Sequence, residues 1–214
     1  QEVIDGKLDD HFPIDIYQTG SGTSSNMNTN EVIAKRAMQL VHELSVKVHP
    51  NDHINFGQSS NDTFPTAIRI AGYLEVKNDL VPSLKYLRET FLKKGSEYSH
   101  VVKTGRTHLM DAMPVTFEQE FGGYARQIEV GIHRIETALV NMAELPMGGT
   151  AVGTGINTHP KFPAKFAAAV SRLTGESFRE AENHFEAQAT VDAPVELGAQ
   201  LKTLAVSLLK IVND

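Results

Sequence analysis

The chain has 214 residues, a formal net charge of −6 and no cysteine. That length suits one large domain or two small ones with a sizeable core. The acidic balance, with no Lys/Arg-rich run, weighs against nucleic acid or an anionic membrane surface as partner. No apolar run approaches the length of a membrane span, and the lack of Cys removes disulfides, thiol catalysis and thiolate zinc sites. The composition reads as a soluble protein in which a small anion must be held by local groups. The chain opens on Gln1 and reaches Asp214 while a helical apolar pattern is still running, which reads as a piece of a longer protein.

In chain order, residues 18–32, QTGSGTSSNMNTNEV, gather two Gly, three Ser, three Thr and three Asn with no Lys or Arg. Such side chains compete with the backbone for hydrogen bonds and favour turns and helix caps. The plain expectation is a polar loop over 18–30 that caps a helix from about Asn30 to Val46. Capping by Asn28 or Asn30 accounts for only one or two of them. Ser21, Thr23, Ser24 and Asn26 remain, and read as hydroxyl and amide donors around an anion. In HPNDH (49–53), His49, Asp52 and His53 are conceivable metal ligands, but nothing fixes three on one face and zinc sites show clearer spacing. An Asx turn over Pro50, Asn51 and Asp52, or anion capture by His49 and Asn51, are the other accounts.

GQSSND (57–62) places Ser59, Ser60 and Asn61 at the expected start of a long helix, where unpaired N–H groups and the positive dipole end can hold a carboxylate or phosphate. Capping by Ser60, Asn61 or Asp62 explains the same residues without a ligand. The run from about Thr66 to Ser99 carries Ile70, Leu74, Leu80, Leu84, Leu87 and Phe91 at helical spacing, with Pro82 either kinking it or opening a second helix. GRTHL (105–109) sets His108 between long helices in what reads as a loop; a histidine there can handle protons near neutral pH, and Thr107 can orient substrate or water. A surface histidine is the simpler alternative.

From Phe117, the positions Phe121, Tyr124, Ile128, Ile132, Ile135, Leu139 and Met142 mark one long amphipathic helix ending near Pro146. GGTAVGTG (148–155) has neither the Lys-Ser/Thr ending nor the preceding strand of a nucleotide loop, so close backbone approach in a tight turn is the better account. A shorter helix fits 160–173. Leu197, Leu201, Leu204, Leu208 and Ile211 then form a seam that wants a partner helix. With strand patterns nearly absent, the class is all-α, an elongated bundle of long helices suited to an oligomer. Function is expected on the four loops, 18–30, 49–67, 105–114 and 147–160.

Together, GSGTSSNMNTNEVIA, HPNDHINFGQSSNDTFPTA, GRTHLMDAMPVTFEQEF and GGTAVGTGINTHP closely resemble, in order and spacing, segments of class II fumarases, the fumarate hydratases of the fumarase/aspartase superfamily. The resemblance runs over almost the whole chain. Aspartases tend to carry Gln where this chain has His108, and GAGT, QST and GATAIGTG where it has GSGT, QSS and GGTAVGTG. The resemblance implies interconversion of fumarate and L-malate in the citric acid cycle, without cofactor or metal, by a homotetramer in the cytoplasm, or in the mitochondrial matrix of a eukaryote. It implies that residues 1–60 end an N-terminal domain and that 61–214 belong to a central helical domain. Ser21, Thr23 and Asn26 would help bind a substrate carboxylate, with Ser59, Ser60 and Asn61 joining from a second subunit. Thr107 and His108 would come from a third, His108 polarising the water at C2. His49, Asn51 and Asp52 match a secondary dicarboxylate site. The family's signature loop GSSxMPxKxNP, with the serine taken as C3 base, has no match here, so the 214 residues alone are expected to be inactive. The alternatives are an aspartase-type ammonia lyase and a non-catalytic helical assembly module.

Overall fold

The computed structural model describes residues 1–17, 20–41 and 47–214. By internal contact they fall into two units, residues 1–69 with 143–191, and residues 70–142 with 192–214. Along the chain the helices are α1 (Thr23–Leu40), α2 (Ser60–Glu75), α3 (Val81–Glu97), α4 (Phe117–Met142), α5 (Phe162–Thr174), α6 (His184–Ala189) and α7 (Asp192–Asn213). A hairpin of β1 (Val102–Thr107) and β2 (Met110–Thr116) precedes α4, and the short strands β3 (Glu144–Leu145) and β4 (Arg179–Glu180) pair in parallel. No described helix is long and apolar enough to cross a membrane.

The second unit is built on α4. Its apolar residues recur every three or four positions, so one stripe carries Ile128, Ile132, Ile135, Leu139 and Met142 into a core with Val81 and Leu84 of α3 and Leu197 and Leu204 of α7. Ile128 and Ile135 are completely buried. The pairs Lys85–Glu136 (3.3 Å) and Arg88–Glu129 (3.1 Å) show α3 running antiparallel to α4, and Asn141–Glu196 (2.8 Å) with Tyr124–Asp214 (3.0 Å) do the same for α7. Pro82 sits in the first turn of α3, just after a wide helical turn at Val76–Leu80. The missing N–H of a proline costs nothing in a first helical turn.

The first unit is organised by a buried stretch of backbone. Residues 145–150 are all buried, and buried N–H and C=O groups must find partners. Asp62, itself completely buried, supplies one carboxylate oxygen to two of them: Gly148 N–H donates at 3.0 Å and Thr150 N–H at 2.8 Å. Its other oxygen accepts from Ser59 N–H at 2.9 Å, the return bond of a capping box at the start of α2. His184 donates Nδ1–H to Pro146 O at 2.9 Å, and Arg69 donates to Glu144 O at 2.9 Å. A Cβ at Gly148 would lie 2.2 Å from Pro163 Cγ, so the close approach expected of this glycine-rich segment is met. Burial pushes the Asp62 carboxyl above its ordinary value, more than the backbone donors pull it down.

Three expectations about local structure change. Helix α1 runs from Thr23 to Leu40, so most of the segment expected as a loop is helix; the expected end near Val46 lies outside the described residues. The weak helix preference of Ser, Thr and Asn is overridden by tertiary bonds: Asn28 Nδ2 donates to His11 O at 2.9 Å, and Asn30 Nδ2 to Asn55 Oδ1 at 3.0 Å. HPNDH forms a wide helical turn over Pro50–Ile54 in place of an Asx turn. The GRTHL segment is the turn of the β1–β2 hairpin, not an open loop.

Ile135→Ala should destabilise the protein by about 2–5 kcal/mol through the cavity it leaves, while Leu173→Ala, at a position 76% exposed, should stay within about 0.5 kcal/mol of the parent; chemical denaturation of both measures this. Asp62→Asn leaves either Ser59 N–H or the Gly148 and Thr150 pair facing an amide NH₂, and should cost about 1–3 kcal/mol. A carboxyl raised on folding is favoured most below its unfolded value of 3.8 and loses that advantage as pH rises through the raised value. The parent's stability margin over Asp62→Asn should therefore shrink as pH rises above 3.8. A margin that widens would show that the backbone donors outweigh burial.

Candidate functional site

The starts of α1 and α2 meet inside the first unit, and a glycine makes the meeting possible. Gly22, at φ 76°, precedes α1, and a Cβ there would fall 2.0 Å from Cγ of Phe64 on α2. Only glycine tolerates both that backbone and that ring. The Phe64 ring thereby seats one helix start against the other, and a chain of hydroxyls links them. Ser21 Oγ donates to Thr23 Oγ1 at 3.2 Å, and Thr23 Oγ1 lies 3.2 Å from Ser60 Oγ.

The remaining donors lock the arrangement. Asn26 Nδ2 donates to Asn55 Oδ1 at 3.2 Å while its Oδ1 accepts from the Thr63 hydroxyl at 3.3 Å. Asn61 N–H donates to Ser59 Oγ at 3.2 Å, and Asn61 Nδ2 to Ala151 O at 2.8 Å. The resemblance implied that residues 59–61 join 21–26 from another subunit. Within this one chain Thr23 and Ser60 are already in hydrogen-bond contact, because Gly22 admits Phe64.

A groove of about 510 Å³ beside these groups is lined by Ser21, Ser60 and Asn61 together with the apolar Phe64, Val152 and Phe185. No Lys or Arg lines it among the described residues. An anion here would be held by neutral donors and by the positive end of α2.

His49 and Asp52 engage each other. His49 Nδ1 lies 3.3 Å from both the backbone N and the carboxylate of Asp52, and Asn51 is exposed. Among the described residues no three His, Cys, Asp or Glu side chains gather as a metal site. Thr107 and His108 belong to the other unit. Thr107 pairs with Met110, and the two-residue turn between them, His108 (φ 49°) and Leu109 (φ 62°), has the two positive φ angles of a type I′ turn. His108 is exposed and Leu109 is 95% exposed.

Two residues outside the sequence-based set hold the site together. Asp62 was legible as the acidic partner in Ser-x-x-Asp, the capping-box spacing, although its bonds to Gly148 and Thr150 were not. Gln188 of α6 donates Nε2–H to Thr150 O at 2.8 Å and to Asn61 O at 3.3 Å. Nothing in the local sequence signals it.

A family model described as "Lyase" matches residues 1–214. The chain is 58% identical to "Fumarate hydratase class II" of Corynebacterium glutamicum, covering 100% of this chain and 45% of that protein. It is 53% identical to "Fumarate hydratase, mitochondrial" of Saccharomyces cerevisiae, covering 100% of this chain and 44% of that one. The crystal structure of recombinant class II fumarase from Schistosoma mansoni superposes with a TM-score of 0.97 at 39% identity, over 100% of this chain and 48% of that one. The chain thus spans less than half the length of these relatives. Matched along its whole length by that model and similar throughout to class II fumarate hydratases, the chain belongs to the lyase family.

Proposed function

We propose that the protein is a class II fumarate hydratase and that these residues supply the wall that binds a substrate carboxylate and the histidine that handles the added water. The observation that carries this reading is the contact of two helix starts in one chain, which gathers Ser21, Thr23, Ser60 and Asn61 beside an apolar groove while His108 stands exposed at a hairpin turn. Fumarate and L-malate are the substrates. The assembly is a homotetramer, residues 1–60 end its N-terminal domain, and 61–214 belong to its central helical domain. It works in the cytoplasm, or in the mitochondrial matrix of a eukaryote.

The chemistry follows from the residue types. Removing the C3 proton of malate leaves a carbanion whose charge spreads into the adjacent carboxylate. Fixed hydroxyl and amide donors stabilise that charge as it develops, without reorganising. Ser21, Thr23, Ser60 and Asn61 are such donors, with Asn26 and Ser59 holding them in place. His108 polarises the water that adds to or leaves C2, and Thr107 orients it. His49, Asn51 and Asp52 form a secondary dicarboxylate site. The C3 base belongs to the signature loop that has no match in these residues, so the chain by itself should bind fumarate without turning it over. An aspartase-type ammonia lyase is the second reading, and His108 together with the GSGT and QSS segments favours water over ammonia.

Proton NMR of fumarate in D₂O with ammonium present tests this on the full-length protein. Malate supports the hydratase, aspartate moves the reading to ammonia lyase, and neither product refutes both. His108→Asn should lower turnover by roughly 10²-fold, the scale of a lost acid/base group, with Tm unchanged. A rate within a few-fold of the parent would remove His108 from this role.

A further inference from the structure

Gln188 has no part in the chemistry above, yet it lines the same groove and its carboxamide bonds to the backbone of the groove's polar wall. Its NH₂ lies between two carbonyls, Thr150 O at 2.8 Å and Asn61 O at 3.3 Å. A carbonyl only accepts, so the amide orientation is set by chemistry: the flipped side chain would turn its oxygen against two others. The oxygen end of the carboxamide rests on Gly149, where a Cβ would come within 1.9 Å of Gln188 Oε1 and 3.0 Å of His184 Cβ. Any residue but glycine at 149 would expel the amide. The cradle and the two bonds together mark a built position.

What this position holds is strained. Thr150 has φ 59°, a left-handed backbone that a β-branched residue strongly disfavours, and only 3% of it is exposed. Its N–H is tied to Asp62 and its C=O to Gln188. The residue after it, Ala151, accepts the Asn61 side chain at 2.8 Å. Asn61 is therefore gripped at its backbone carbonyl by Gln188 and at its side chain by the segment that Gln188 restrains.

We infer that Gln188 is a positioning residue for substrate binding: by clamping the strained Thr150 peptide and the first turn of α2 together, it aims the Asn61 carboxamide at the substrate carboxylate. This rests on the hydratase reading for what Asn61 binds, while the clamp itself stands on geometry. Acting in binding and not on the reacting atoms, it should be felt in KM more than in kcat. Acting through Asn61, it should lose its effect when Asn61 is gone.

The test is a double-mutant cycle on the full-length protein, comparing the parent with Gln188→Leu, Asn61→Ala and the double variant. Gln188→Leu should raise KM for fumarate by about tenfold with kcat within about threefold, the scale of a misplaced binding group. In the Asn61→Ala background the same change should alter KM less than about twofold. Effects that add across the cycle, or an unchanged KM, overturn the inference. Gln188→Glu, which sets a carboxylate against two carbonyls, should be worse than Gln188→Leu; a Glu variant with parental KM overturns it too. Hydrogen exchange over residues 148–152 is read on the same four proteins without substrate. Faster exchange in Gln188→Leu supports the clamp even where the parent fails to hydrate fumarate, an outcome that refutes the hydratase reading alone. Exchange as slow as in the parent overturns the clamp.

Discussion

The first unit depends on one buried carboxylate. Among the described residues no cation pairs with Asp62; backbone N–H groups from two segments distant in sequence converge on it instead. A buried charge is costly unless it is well bonded, and a buried loop is costly unless its N–H groups find acceptors. Each problem answers the other. The carboxylate that caps α2 also terminates the unpaired amides of residues 148 and 150, so the start of the helix and the glycine-rich segment are one object. The donors proposed for the substrate carboxylate sit on that object or against it, Ser60 and Asn61 directly and Thr23 through its contact with Ser60.

This arrangement explains why the donors can be neutral. A lysine or arginine would hold a dicarboxylate more strongly but also more indiscriminately, in ground state and transition state alike. Hydroxyls and amides on helix starts give directed bonds of about 0.5–1.5 kcal/mol each. They help only when fixed, because mobile donors spend the interaction on ordering themselves. The contacts of Asn26 with Asn55 and Thr63, and of Asn61 with Ala151, are the means of fixing them. Polar side chains that look excessive for a capped loop therefore divide into those that face the groove and those that hold the first group still.

The long helices and their core were legible because burial follows period: every apolar position of the 117–142 run expected to face inward does so from Tyr124 onward. The site was legible in residue type but not in geometry. A helix beginning at Thr23 runs against local propensity, and it forms because Asn28 and Asn30 bond to His11 and Asn55, partners that no window of sequence contains. The hairpin at 102–116 was hidden for a related reason. Its turn residues are His108 and Leu109, where a type I′ turn ordinarily announces itself with Asn-Gly. The joint between Thr23 and Ser60 was also out of reach. It depends on a ring filling the space above Gly22, a long-range packing fact that reads in sequence only as one more glycine.

That turn shows how the two halves of the proposed chemistry are held by opposite means. The donors Ser21, Thr23 and Asn61, though exposed, are held through their side chains by hydrogen bonds. His108 is exposed, and only its backbone is constrained, by the strands on either side and by two left-handed residues that each cost about 1–3 kcal/mol. Such strain persists where the flanking pairs Thr107–Met110 and Arg106–Asp111 over-determine it. It fixes the direction in which the imidazole leaves the chain while leaving its rotamer open. A proton-handling group presented in this way is aimed but unfinished.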